Sequence, residues 1–142
     1  NHPDLLDPAV WRRFESHVVF PLPPEQAARR MVLTVLGEGA VGDEWLAVLT
    51  RVYAGRSYSD IERELTAVKK AAILTGGPVE TAVAESVRAA CRGMKKADLK
   101  ALAVQLAAAG VSDRKVHDLT GLSRDTIRKA RPAAGNEGDA DA

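Results

Sequence analysis

Apolar residues recur along most of this chain at the three- and four-residue spacing that gathers them on one face of a helix. Ala27, Ala28, Met31, Val32 and Val35 form the first stripe, in a segment that Pro24 opens and that runs to about Leu36. Gly37, Gly39 and Gly42 then break the pattern. A second helix is expected from about Asp43 to Ala54, burying Leu46, Leu49, Val52 and Tyr53, with Gly55 as its stop. Ser57 and Ser59 both offer a cap for a third helix, with Asp60 and Glu62 three residues after them in the spacing of a capping box. Its stripe is Ile61, Leu65, Val68 and Ala72, and Gly76-Gly77-Pro78 ends it. A fourth helix reaches about Arg92 with Val79, Val83, Val87, Ala90 and Cys91 inward.

Three shorter helical segments follow Gly93. Residues 98–109 carry Leu99, Leu102, Ala103 and Leu106, residues 112–120 carry Val116 and Leu119, and residues 123–131 carry Ile127. Gly110 and Gly121 separate them. Before the first stripe the signal changes. Residues 1–15 lack periodicity and contain Pro3 and Pro8, and residues 16–20 read as a short strand stopped by Pro21-Leu22-Pro23-Pro24. The pattern therefore predicts an all-α chain after one short strand. A helical bundle is expected over 24–92, a three-helix unit over 93–131, and a tail over 132–142 with too little to bury to be ordered.

Composition changes this picture in two places. Aromatics are 4% of the chain while hydrophobic residues are 46%, a balance that favours helix. No apolar run approaches a membrane span, and nothing resembles a signal peptide. Charge is more informative, because the net +1 hides a strong asymmetry. Residues 1–91 sum to −2, residues 92–131 hold 10 Lys/Arg against 4 Asp/Glu for +6, and the tail sums to −3. A block of that sign and size attracts phosphate. Cys91 is the single cysteine, which excludes an intrachain disulfide and fits a reducing cytoplasm. His2, His17 and His117 stand far apart without companions at ligand spacing, so no metal site is expected. The chain starts at Asn1 with no Met, and a longer parent chain is the expectation.

Two motifs carry a family resemblance. The stretch NHPDLLDPAVWRRFE followed by VVFPLPP resembles the segment of AAA+ ATPases that runs from sensor 1 through the arginine finger into the last core strand. The stretch GRSYSDIERELTAVKKAAI resembles the sensor-2 helix of the AAA+ lid. The resemblance implies that residues 1–23 end a nucleotide-binding core and that residues 24–92 are its helical lid. It also implies roles. Asn1 matches the sensor-1 residue that orients the attacking water, and Arg13, with Arg12 as partner, matches the finger that reaches a neighbouring subunit's nucleotide. An arginine fork there stabilises charge spreading over the transferred phosphoryl oxygens. Ser57, Ser59 and Asp60 fall at the sensor-2 helix start, the expected nucleotide contact. Tyr58 and Ser59 stand where many members have Gly-Ala, and neither Arg56 nor Arg63 falls cleanly on the sensor-2 position.

The sequence lacks the phosphate loop G-x-x-x-x-G-K-[ST] and a hydrophobic strand ending in Asp-Glu; Glu38 between two glycines is a bend without the lysine. ATP and Mg²⁺ are thus expected cofactors of an intact homo-oligomeric ATPase, with none bound to this chain alone. A third motif, GVSDRKVHDLTGLSRDTIRKA, resembles the core of bacterial helix-turn-helix domains and coincides with the +6 block. By that match Ser123 caps a recognition helix that presents Arg124, Asp125, Thr126 and Arg128 to DNA, with Lys129 and Arg131 for phosphate. His117 stands where such domains usually place Ala. The expected function is the end of an oligomeric, cytoplasmic AAA+ ATPase that supplies finger, lid and a DNA-binding module. Two alternatives share these motifs: a protein-remodelling ATPase whose terminal helices hold a protein partner, and a non-catalytic DNA-binding regulator.

Overall fold

A computed structural model describes residues 7–13, 18 and 20–130, and among them every regular element is a helix. A four-residue α1 (Pro8–Trp11) is opened by Asp7, whose Oδ1 accepts the Ala9 N–H at 2.8 Å. The strand expected over 16–20 falls largely outside the described residues; Val18 and Phe20 are exposed and belong to no strand. The tail and Asn1 also lie outside them. None of the helices is long and apolar enough to cross a membrane.

The bundle consists of α2 (Glu25–Leu36), α3 (Asp43–Val52), α4 (Tyr58–Thr75) and α5 (Val79–Arg92). Of the two candidate caps at the start of α4, the structure uses Ser57. Its Oγ accepts the Asp60 N–H at 3.2 Å and donates to Asp60 Oδ2 at 2.7 Å, while Ser59 lies within the first helical turn. Gly76 closes α4 at φ 64°, a left-handed conformation that a Cβ would strain. Cys91 is buried on α5 as a core residue, and burial raises its thiol pKa.

The second unit comprises α6 (Lys96–Ala108), α7 (Asp113–Thr120) and α8 (Arg124–Ala130). It is not joined to the bundle by a thread of chain. One hydrophobic core runs from Ala28 on α2 to Ile127 on α8, through Leu49, Leu65, Val87, Leu106 and Val116. The reason lies in α3. Its Trp45 and Val48 are buried in addition to the expected Leu46, Leu49 and Val52, so the buried face of the helix is broader than a single stripe. It packs against α2 and α5 and also against α6, making it the shared wall of both units.

Polar contacts reinforce that wall. Glu44, in the first turn of α3, accepts the Ser112 N–H at 3.0 Å and the Ser112 hydroxyl at 3.1 Å. Its other oxygen takes Lys115 Nζ at 2.6 Å, and that ammonium lies 4.0 Å from the centroid of the Trp45 ring. The hydrogen bond from Lys115, then that from the Ser112 backbone, holds the Glu44 carboxyl below the usual glutamate range. On α7's other side Arg88 of α5 pairs with the Asp118 carboxylate.

Because the folded pKa of Glu44 is depressed, its contribution is complete above the ordinary glutamate pKa of about 4.3 and fades as pH falls through the lower folded value. Glu44→Gln is expected to destabilise the chain by about 1 kcal/mol at neutral pH, a modest figure because the carboxylate is partly solvated. Urea denaturation from neutral to acid pH checks this: the gap between wild type and variant should narrow as the pH drops. A gap that persists unchanged into acid would mean that the charge on Glu44 is not what holds α7.

Candidate nucleic-acid interface

The α7–α8 pair is built by short-range bonds that its sequence specifies. Ser112 Oγ accepts the Lys115 N–H at 3.4 Å, so the hydroxyl that donates to Glu44 also caps α7. Gly121, at φ 71°, ends the helix with its N–H on the His117 carbonyl at 2.9 Å. Thr120, although buried, is satisfied: its hydroxyl donates to the Val116 carbonyl at 2.7 Å and accepts the Leu122 N–H at 3.3 Å. His117 points outward, and its Nδ1 lies 2.6 Å from the Leu122 carbonyl, so the imidazole closes the turn from outside.

Ser123 opens α8, its Oγ accepting the Thr126 N–H at 3.2 Å. Ile127 is the anchor, 1% exposed, and with the half-buried Leu122 it seats α8 on the core, where the helix packs against α6 and α7. The opposite face carries Arg124, Asp125, Arg128 and Lys129, all exposed. Arg128 and Asp125 bond at 3.0 Å with side chains 77% exposed, an ion pair so solvated that exchanging it for another partner costs little. Thr126 is half-buried, and its hydroxyl lies 2.8 Å from that of Ser123. Those two residues therefore shape the helix start, while Arg124, Arg128 and Lys129 project from it. Arg131 lies outside the described residues.

The expected nucleotide contacts fall elsewhere. Phe20, Pro21 and Leu22 face Ser57, Tyr58 and Ser59 across an open cavity of about 630 Å³. Asp60 is bound to Ser57 and, at 2.7 Å, to Arg63, and these contacts, the serine's first, lower its pKa. Arg56 pairs with Glu64 and sits 5.9 Å from the Tyr53 ring centroid, so its charge is locally engaged. Arg12 and Arg13 are exposed just after α1; Asn1 is beyond the described residues.

Two residues that the motif alone did not single out lie beside this candidate surface. Arg114 and His117 share a face of α7, one turn apart, and meet Arg124 at the mouth of a second cavity. The signal was present in the i, i+3 spacing, but only the position of α8 shows where that face leads. No family model, curated protein or solved structure matches the chain.

Ser123→Ala removes the side-chain cap of α8 and is expected to cost about 1 kcal/mol. Amide hydrogen exchange should show the loss confined to the segment around residues 123–130, with α2 to α5 protected as before. An equal loss of protection throughout the chain would mean that α8 never opens independently of the bundle.

Proposed function

We propose that this chain is the end of an oligomeric AAA+ ATPase, contributing an arginine finger and helical lid to ATP hydrolysis and a helix-turn-helix that binds DNA. The observation that carries the DNA half is the exposed face of α8. A capped helix, seated by Ile127 and preceded by a three-residue turn, projects Arg124, Arg128 and Lys129 into solvent within a block of net charge +6. Helices of this kind enter the major groove by their first turns, where arginine pairs with guanine edges and lysine with phosphates. The ATPase half rests on the two sequence resemblances. The cavity between Phe20–Leu22 and the start of α4 supports it, since it joins the apolar segment before the lid to Ser57 and Ser59. Ile73 and Leu74, 71% and 87% exposed near the end of α4, offer apolar surface that a neighbouring subunit would cover.

The division of labour follows from what is missing. Without a phosphate loop, this chain is expected to bind no ATP and to show no turnover by itself. In the longer parent, Arg13→Ala should lower hydrolysis by about 10³ to 10⁵ while leaving ATP binding nearly intact, the signature of a finger acting on a neighbour's nucleotide. Mixing that variant with a parent lacking the phosphate-loop lysine should recover partial turnover. Normal hydrolysis by Arg13→Ala would shift the assignment to Arg12.

For DNA, the described chain should bind duplex weakly as a monomer, with Kd of roughly 10⁻⁴ to 10⁻⁶ M at physiological salt and a steep loss as salt rises. Fluorescence anisotropy of wild type against an R124A/R128A double variant decides the matter. Identical curves, or no binding at low salt, favour a protein partner for the same face.

A further inference from the structure

We infer that Arg114, His117 and Arg124 form a clamp for one DNA backbone phosphate, and that closing it takes up a proton on His117. This inference rests on the DNA reading above and assigns a second contact beside the outward face of α8. The three side chains line a solvent-open cavity of about 440 Å³ together with Ser112, Lys115 and Asp118. Two of those neighbours are already engaged. Lys115 is held by Glu44 from α3, and Asp118 by Arg88 from α5, so neither charge is left to dominate the cavity. The guanidinium groups of Arg114 and Arg124 reach the same space from two different helices, and no ion pair joins either of them to another described residue. The carboxylate that lines the cavity, Asp118, is already paired with Arg88, so the two guanidinium groups still repel each other, and an oxyanion placed there relieves the repulsion.

His117 adds the proton. The Leu122 carbonyl can only accept, so the Nδ1 at 2.6 Å carries the hydrogen. In the neutral ring Nε2 is then a bare lone pair, which repels a phosphate oxygen. Protonation turns Nε2 into a donor without disturbing the Nδ1 bond that closes the turn. The charged groups on the imidazole's side are Asp113, one turn before it, with Arg114 and Asp118 from α7 itself, and Arg124 from α8; Lys115 is turned to α3, Asp118 is shared with α5, and no charged side chain of α6 lines the cavity. A backbone phosphate keeps its single negative charge across the neutral range, so the proton belongs to the protein. The sign follows: a bound anion stabilises the imidazolium and is repelled by the bare Nε2 lone pair, so affinity is greatest at low pH and falls as pH rises.

The test uses the full chain and a fluorescein-labelled mixed-sequence duplex, followed by anisotropy at about pH 6 and pH 8 and at about 50 and 200 mM salt. Arg114→Ala is expected to weaken binding about fivefold to tenfold on every sequence and to shallow the salt slope by about one phosphate, with Arg114→Lys recovering much of both. Wild-type affinity should fall several-fold between the two pH values, and His117→Gln should bind with no such dependence. Arg114 is exposed, and Gln at 117 keeps a donor for the Leu122 carbonyl, so an unchanged thermal midpoint separates these effects from misfolding. If Arg114→Ala and His117→Gln match wild type while Lys129→Ala weakens binding, the clamp is wrong and the DNA reading stands. If wild type itself fails to bind at the lower salt, both are wrong.

Discussion

The Glu44 carboxylate sits on α3, yet all of its bonding is to α7, 68 and 71 residues further along the chain. Three donors converge on it: the first free backbone N–H of α7, the serine hydroxyl that caps the same helix, and the Lys115 ammonium. Helix N-termini leave N–H groups without partners and favour negative charge, so the carboxylate meets two demands of α7 at once. The Trp45 ring beneath the ammonium adds a cation–π contact and shields one side of the pair from water. The candidate DNA surface is built on α7 and on α8, which α6 and α7 seat together, and α7 is tied to the bundle through this cluster on one side and Arg88 on the other.

That anchoring governs how charge is displayed. The +6 block would repel itself if all its cations met in one place. Glu44 removes Lys115 from the outward field, and Asp118 is in turn neutralised by Arg88, so the exchange across the two units leaves the block's sum intact while moving its centre. Arg114, Arg124 and Lys129 remain as the outward positive groups near α8. Arg128 keeps a solvated acidic neighbour, Asp125, which lowers the local field in the free protein and can be displaced by a stronger partner.

Much of this was legible in the sequence because it depends on near neighbours. Helix existence, the Ser123 cap, the glycine stop at Gly121 and the Val116, Leu119 and Ile127 core positions are all set within a few residues. The choice between Ser57 and Ser59 as the cap of α4 was not legible, since both have an acidic residue three positions on; Asp60 answers Ser57 with a reciprocal bond, and the helix starts there. Trp45 and Val48 widened the apolar stripe of α3 beyond one face, a pattern that signals burial on two sides without saying against what. The Glu44 cluster had no local signature at all. An acid in the first turn of a helix reads as a favourable partner of its own helix's dipole, and only tertiary packing brings Ser112 to it.

The continuity of the core across residue 92 also bears on how the two proposed activities relate. A DNA-binding unit hung on a flexible linker would respond to a lid only through its effective concentration. Here α3 is a wall of both units, and α5 holds α7 by packing and by the Arg88–Asp118 pair. Packed interiors transmit displacement rather than absorb it. In a nucleotide-driven oligomer of the kind proposed, a rotation of the lid would therefore carry α7 and α8 with it as one body, and the spacing between successive recognition helices would change with the spacing between lids. The coupling needs no wire of residues, only the shared wall of α3.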